Sequence, residues 1–227
     1  MSVIKQKLAQ VYSDIEKHAK KHGRDPKTIK LLAVTKKHSI AEIMEAISAG
    51  QCEFGESYLQ EALPKIRTLT DHSDIIWHYI GPIQSNKARE IAKYFSWVQS
   101  VDREKIATLL NQHRPLNLPP LNVCVEVNIS GEKTKSGIAP EELLPLINVI
   151  NKLPNLRLRG IMAIPAFTYD YNEQIRAFSI AKDIFTKLNR ASFNLDTLSL
   201  GMSNDLEAAI ACGSTMVRIG TAIFGSR

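Results

Sequence analysis

One lysine and a group of small or basic residues near the C-terminus carry the chemistry that this sequence offers. Lys36 ends an apolar, strand-like run, and Ser203, Gly220 and Thr221 follow two further runs, the second of which contains Arg218. A neutral lysine amine forms a Schiff base with an aldehyde. Backbone N–H groups and hydroxyls at strand ends bind phosphate. These residue types therefore suit a phosphorylated aldehyde.

Each of these residues also has an ordinary structural interpretation. A lysine at the end of a strand is usually exposed, and because side chains alternate, only one of Lys36 and Lys37 can face the interior. Arg218 suits a structural salt bridge with Glu126 as well as it suits a ligand contact. Ser203 is also well placed to be the N-cap of the helix that follows it.

The order of predicted elements indicates an α/β protein, a single (β/α)8 TIM barrel over residues 1–227 preceded by an N-terminal helix. Helical patterns begin near residues 39, 58, 85, 103, 140, 171 and 204. The second strand is very short, so a seven-stranded open sheet is the alternative. The predicted strands are 29–35, 53–55, 76–80, 97–101, 121–129, 156–163, 197–200 and 216–219.

The fifth predicted strand is the best test of a barrel. In LNVCVEVNI, the odd positions from 121 to 129 are apolar, while Asn122, Glu126 and Asn128 are polar. In a barrel, the apolar face would pack on the helices and the other face would line the interior. A half-exposed antiparallel strand would show the same alternation. We prefer the barrel because helices flank the strand in sequence.

Composition and charge limit the classes of function. The formal charge is +6, and eight Lys or Arg against three acidic residues fall within the first 30 positions. That segment repeats apolar residues at helical spacing, so its lysines are interpreted as the solvent face of a helix rather than a nucleic-acid patch. The chain has three scattered cysteines, no apolar run of a signal peptide or membrane span, and no metal-ligand spacing among its histidines. We expect reduced thiols, a cytoplasmic protein and no metal.

Seven segments spread over nearly the whole chain form a highly specific set. The segments are AVTK at 33–36, FGESYLQE at 54–61, WHYIGPIQSNK at 77–87, KSG at 135–137, LRGIMAIP at 158–165, LSLGMSNDLEAAI at 198–210 and GSTMVRIGTAIFG at 213–225. Through these segments the sequence closely resembles the pyridoxal phosphate homeostasis protein family, also called YggS or PROSC proteins.

The resemblance implies a barrel like the N-terminal domain of alanine racemase, with pyridoxal 5'-phosphate (PLP) held as a Schiff base. The family's Schiff-base lysine falls on Lys36, and the arginine near the pyridine nitrogen falls on Arg218. His78, within WHYI, is a further cofactor-binding candidate, although a lone strand histidine is more often a core residue. Ser57 stands where the family usually has asparagine. The family's phosphate-binding positions fall on Ser203, Gly220 and Thr221.

The resemblance also implies a carrier or buffer in intracellular PLP homeostasis, without substrate turnover. A racemase of this fold has a second, C-terminal β domain that supplies an opposing tyrosine, whereas this sequence stops at Arg227. We expect a cytoplasmic monomer that contacts PLP-dependent apoenzymes transiently and binds neither nucleic acid nor membrane. The alternative is a PLP-dependent amino-acid racemase or lyase.

Overall fold

Eight parallel strands follow one another in sequence order around a closed barrel, and the last strand pairs with the first. The computed structural model describes residues 2–132 and 136–225. The predicted (β/α)8 architecture is confirmed. The strands are β1 (Lys30–Val34), β2 (Glu53–Glu56), β3 (Ile76–Tyr79), β4 (Trp97–Val101), β5 (Leu121–Glu126), β6 (Leu156–Met162), β7 (Thr197–Ser199) and β8 (Met216–Ile219).

The short strand β2 completes the barrel. Phe54 is in register with Ala33 of β1 on one side and with Trp77 of β3 on the other. Four residues are enough because both neighbours supply ladder partners. The alternative of a seven-stranded open sheet is therefore wrong.

Helices cover the outside of the barrel, and the predicted N-terminal helix is the first of them. Its apolar positions Ile4, Leu8, Val11, Ile15 and Ala19 are all buried. The helices are α1 (Val3–Lys21), α2 (Ile40–Ser48), α3 (Leu59–Thr68), α4 (Ala88–Tyr94), α5 (Glu104–His113), α6 (Leu143–Ile150), α7 (Tyr171–Arg190), α8 (Leu206–Ala211) and α9 (Thr221–Phe224). Helix α1 packs against α2, α8 and α9. It thus covers the side of the barrel where β8 meets β1.

Local capping chemistry sets several helix ends. Ser39 and Glu42 form a reciprocal capping box at the start of α2, and Gly50 follows that helix with φ +93°. Pro140 begins a 3-10 turn that leads into α6. The short helix α9 was not predicted, because the sequence pattern there was interpreted only as the end of β8.

Strand β5 has the predicted two faces. Leu121, Val123 and Val125 belong to the large core between strands and helices. Cys124 instead packs with Trp97 and Met162 in a separate apolar cluster. Since alternate side chains point to opposite faces, this second cluster lies inside the barrel. The predicted interior face is confirmed, although the strand ends at Glu126 rather than at residue 129.

Candidate functional site

A cavity of about 230 Å³ opens where the C-terminal ends of the strands meet. This is the face on which TIM barrels carry their active sites. Five of the six residues proposed from the sequence line it, although they come from opposite ends of the chain. They are Lys36, Ser203, Arg218, Gly220 and Thr221. Their contacts with a cofactor remain predictions.

Lys36 lies two residues beyond the end of β1 and is half-buried at the cavity wall. Val34, two residues earlier, lines the same cavity, as strand alternation requires. Lys37 is exposed, which agrees with its expected role as the solvated neighbour. Its φ of +65° turns the backbone away from the strand direction.

Arg218 crosses from the barrel interior to the cavity wall and is only 4% exposed. Its Nη1 donates to the Ser199 carbonyl oxygen and to Ser199 Oγ, both at 2.7 Å, and its Nη2 donates to the Ala163 carbonyl oxygen at 3.0 Å. Burial lowers the pKa of Arg218 to about 10, so it stays protonated at neutral pH. Within the described part of the chain, the Arg218 guanidinium donates to these neutral oxygens and forms no salt bridge with Glu126 or another carboxylate, so the salt-bridge interpretation is not supported.

The ends of β7 and β8 form the small-residue side of the cavity. The Ala222 backbone N–H donates to Ser203 Oγ at 3.3 Å, which joins the two loops. A Cβ on Gly220 would lie 3.2 Å from the Val34 carbonyl oxygen, so glycine keeps this wall open. The alternative interpretation made Ser203 the N-cap of the next helix, but Ser203 does not cap it. Helix α8 starts later, at Leu206, and Asp205 Oδ1 accepts the Met202 N–H at 2.5 Å instead.

His78 does not line the cavity, so its assignment as a cofactor-binding residue is not supported. It is fully buried deeper in the barrel and stacks on Trp97 with ring centroids 5.1 Å apart. Its Nδ1 lies 3.0 Å from Gln99 Nε2, and its Nε2 lies 3.2 Å from Glu53 Oε2. Burial lowers the pKa of His78, and Glu53 opposes that shift. It is the hydrogen-bonded core histidine of the alternative interpretation.

Several cavity residues escaped the sequence analysis. Ile164, Phe167 and Thr168 come from the loop between β6 and α7. Gln174, almost fully buried in α7, donates to the Thr168 carbonyl oxygen at 2.9 Å and fixes this loop. Since strand-end loops build such sites, the position of this loop after β6 was the available signal.

The cavity combines an amine with groups that suit an anion. Among its described lining residues there is no tyrosine, histidine or cysteine, and the only carboxylate is Asp205. The described residues contain no cluster of metal-ligating side chains. No helix in the described part of the chain is long and apolar enough to cross a membrane. Lys135, from the KSG segment, lies outside the described residues.

Comparison with known proteins agrees with this geometry. The family model of the alanine racemase N-terminal domain matches residues 6–227. The pyridoxal phosphate homeostasis protein of Pseudomonas aeruginosa is 54% identical over 227 residues, covering 100% of this chain and 97% of that protein.

Two solved structures share the fold. PipY of Synechococcus elongatus PCC7942, with PLP bound, has a TM-score of 0.86 at 33% identity and covers 98% of this chain and 100% of its own. Alanine racemase from Corynebacterium glutamicum shows the same fold at 16% identity, with a TM-score of 0.69 over 99% of this chain and 61% of its own.

Proposed function

The chain belongs to the alanine racemase N-terminal domain family, among its pyridoxal phosphate homeostasis proteins, and on that premise we propose that it binds PLP and acts in intracellular PLP homeostasis as a carrier or buffer. One observation carries the proposal. A lysine amine and a phosphate-suited pair of strand ends face the same 230 Å³ cavity.

Lys36 is the proposed attachment point. Among the described residues it is the lysine that lines the cavity, and its neutral amine would form a Schiff base with the cofactor aldehyde. When bound, PLP supplies a reactive aldehyde and an electron-accepting ring. The protein's contribution is to hold the amine at the cavity wall and to keep the cofactor oriented.

The other end of the cavity would hold the phosphate. Ser203 and Thr221 supply hydroxyls, and the backbone around Gly220 approaches closely because no side chain intervenes. Arg218 uses three of its five N–H donors on Ser199 and Ala163. Its remaining donors would face the pyridine nitrogen, and because the guanidinium stays charged, that nitrogen would be held unprotonated.

The composition of the cavity wall favours binding without turnover. Moving a proton to and from the α-carbon of an amino acid on both faces needs a second acid/base group opposite the lysine. Among the described lining residues, the candidate is Asp205, whose Oδ1 already accepts the Met202 N–H. A carrier needs only the amine and the binding contacts.

The test begins with the visible spectrum of the purified protein, before and after borohydride reduction, followed by peptide mapping. We expect a Schiff-base band that reduction removes, with the label on Lys36. Labelling of another lysine would refute the site. Incubation of the loaded protein with single amino acids in deuterated water tests turnover, and α-proton exchange at a useful rate would favour a racemase or lyase.

We further propose that the protein is a cytoplasmic monomer that meets PLP-dependent apoenzymes transiently. The cavity is open at the strand ends, so a bound cofactor could leave without unfolding. The measurement is the rate at which the loaded protein reactivates an apoenzyme, compared with an equal concentration of free PLP. Sedimentation of the loaded protein checks the monomer.

A further inference from the structure

The two peptide groups that flank Lys36 are both hydrogen-bonded to side chains of α3. The Thr35 carbonyl oxygen, just before Lys36, accepts a hydrogen bond from Lys65 Nζ at 2.8 Å. The Lys37 backbone N–H, just after it, donates to Glu61 Oε2 at 2.9 Å. Glu61 and Lys65 are four residues apart and so share one face of the helix. A single helix face therefore holds the backbone on both sides of Lys36.

The Lys65 contact belongs to a buried ion pair. Lys65 is 7% exposed, and its Nζ lies 2.7 Å from Oε1 of the fully buried Glu56 at the end of β2. Thr35 Oγ1 donates to the same carboxylate oxygen at 2.7 Å. Because neither charge can lose its partner without a large penalty, this arrangement tolerates little movement. Thr35 is thus fixed through both its carbonyl and its side chain.

The Glu61 contact holds an unusual backbone. The His38 N–H donates to the Thr35 carbonyl oxygen at 3.0 Å, which closes a turn with Lys36 and Lys37 at its centre. Lys37 has a φ of +65°, a conformation that glycine or asparagine normally occupies at the third position of such a turn. Strained backbone of this kind persists where the surroundings impose it.

We propose that α3 is the positioning element of the cofactor site, with Glu61 and Lys65 holding the turn that presents the Lys36 amine to the cavity. The inference rests on the proposed function, because that function gives Lys36 its role. Neither Glu61 nor Lys65 is among the cavity-lining residues. They are therefore positioning residues rather than binding residues.

The test compares Glu61→Ala with Glu61→Gln, which keeps an acceptor oxygen, and with Gln60→Ala, an exposed neighbour on the same helix. Hydrogen exchange of the Lys37 amide reports the contact, and competitive acetylation of Lys36 with limiting acetic anhydride reports the amine. We expect Glu61→Ala to speed hydrogen exchange of the Lys37 amide and to change the rate at which Lys36 is acetylated. Gln60→Ala should leave both rates at their wild-type values. We also expect Glu61→Ala to weaken PLP binding by roughly threefold to tenfold, the range for one hydrogen bond, while Glu61→Gln restores most of the loss.

The outcomes separate this inference from the proposed function. Unchanged exchange of the Lys37 amide in Glu61→Ala would overturn the inference. Faster exchange with unaltered Lys36 labelling and PLP affinity would also overturn it, while PLP binding at Lys36 stood. If the wild-type protein bound no PLP at Lys36, the proposed function would fail, and the labelling rates would still decide whether α3 positions the amine.

Lys65 needs a paired design because removing it alone leaves Glu56 buried without its counterion. We therefore use Lys65→Met combined with Glu56→Gln, which removes both charges together. The expected result is a folded protein with altered Lys36 labelling and weaker PLP binding. A folded double variant with wild-type values for both would overturn the role of Lys65.

Discussion

The barrel interior has a lower half, which contains His78, Gln99 and Ser199, and an upper half at the C-terminal strand ends, where Lys36 and Ser203 lie. Both halves contain polar residues, but those of the lower half contact one another and those of the upper half face open space. In the lower half, Gln99 Nε2 lies 3.0 Å from His78 Nδ1, and its Oε1 accepts from Ser199 Oγ at 2.7 Å. In the upper half, Lys36 and Ser203 face a cavity. Polar chemistry inside a barrel marks a ligand site only where the protein leaves space beside it.

Arg218 connects the two halves. Its Nη1 donates to Ser199 Oγ, which continues to Gln99 in the lower half, while the residue also lines the cavity above. Because Arg218, Ser199 and Gln99 form a continuous chain of hydrogen bonds, that network holds the guanidinium in one position. The lower half thus supports the site without touching it, and substitutions in the two halves should have opposite consequences.

The largest expected effect comes from Lys36→Ala in the upper half. We expect complete loss of the Schiff-base band and of borohydride labelling, because the proposed attachment amine is gone. The matched control is Lys37→Ala, whose side chain is exposed and should leave both signals intact. A band that survived in Lys36→Ala and vanished in Lys37→Ala would show that the cofactor is attached to Lys37 and not to Lys36.

His78→Ala in the lower half should do the reverse. We expect the free energy of unfolding to fall by about 2–4 kcal/mol, because the substitution leaves a cavity beside Trp97 and removes the hydrogen-bond partner of the buried Gln99 amide. PLP affinity, measured by titration under conditions where the variant is folded, should stay close to the wild-type value. Parallel losses of stability and affinity would show that the two halves are not separable.

The contrast between Lys36 and His78 also shows which features of the site can be predicted from the sequence. Strand and helix periodicity predicted the barrel, and the barrel predicts that strand ends meet, which places Lys36 beside Ser203 although 167 positions separate them in the printed sequence. Depth within the barrel is different. It depends on strand register, such as His78 beside Gly55 and Trp97, and no local pattern encodes that register.

The positioning contacts of α3 could not be predicted from the sequence, for a related reason. Lys65 is buried by its partners Glu56 and Thr35, and a lysine on a helix is normally predicted to be solvated. Only the packing of α3 against the ends of β1 and β2 brings these groups together. Sequence patterns predict the elements, whereas tertiary contacts decide which polar residues are partners.

Glu126 is a buried carboxyl that does not line the cavity, and its ionisation should make stability depend on pH. Burial raises the pKa of this carboxyl from 4.5 to about 7, the Asp102 charge acts in the same direction, and Arg218 opposes them. The folded protein therefore holds a proton that the unfolded chain releases, so stability falls as pH rises from about 4.5 through 7. Glu126→Gln stays neutral. We expect it to match the wild type near pH 5 and to exceed its unfolding free energy by about 1–3 kcal/mol near pH 8.

Denaturant unfolding of both proteins at the two pH values measures this difference. Glu126 does not line the cavity, so PLP affinity at a pH where both proteins are folded serves as the control. A stability difference that was the same at both pH values would mean that the carboxyl ionises normally in the folded state.

The smallest expected effect is that of Ser203→Ala at the phosphate end. Removal of the hydroxyl removes one hydrogen bond, which contributes about 1 kcal/mol to the free energy of binding. PLP should therefore bind roughly fivefold more weakly. Pyridoxal, which has the aldehyde but no phosphate, should bind both proteins equally, and Ser48→Ala on the exposed end of α2 is the control substitution. Because Ser203 Oγ also accepts the Ala222 N–H, the ligand comparison is essential. Equal losses for PLP and pyridoxal would mean that the hydroxyl joins the two loops without contacting the phosphate.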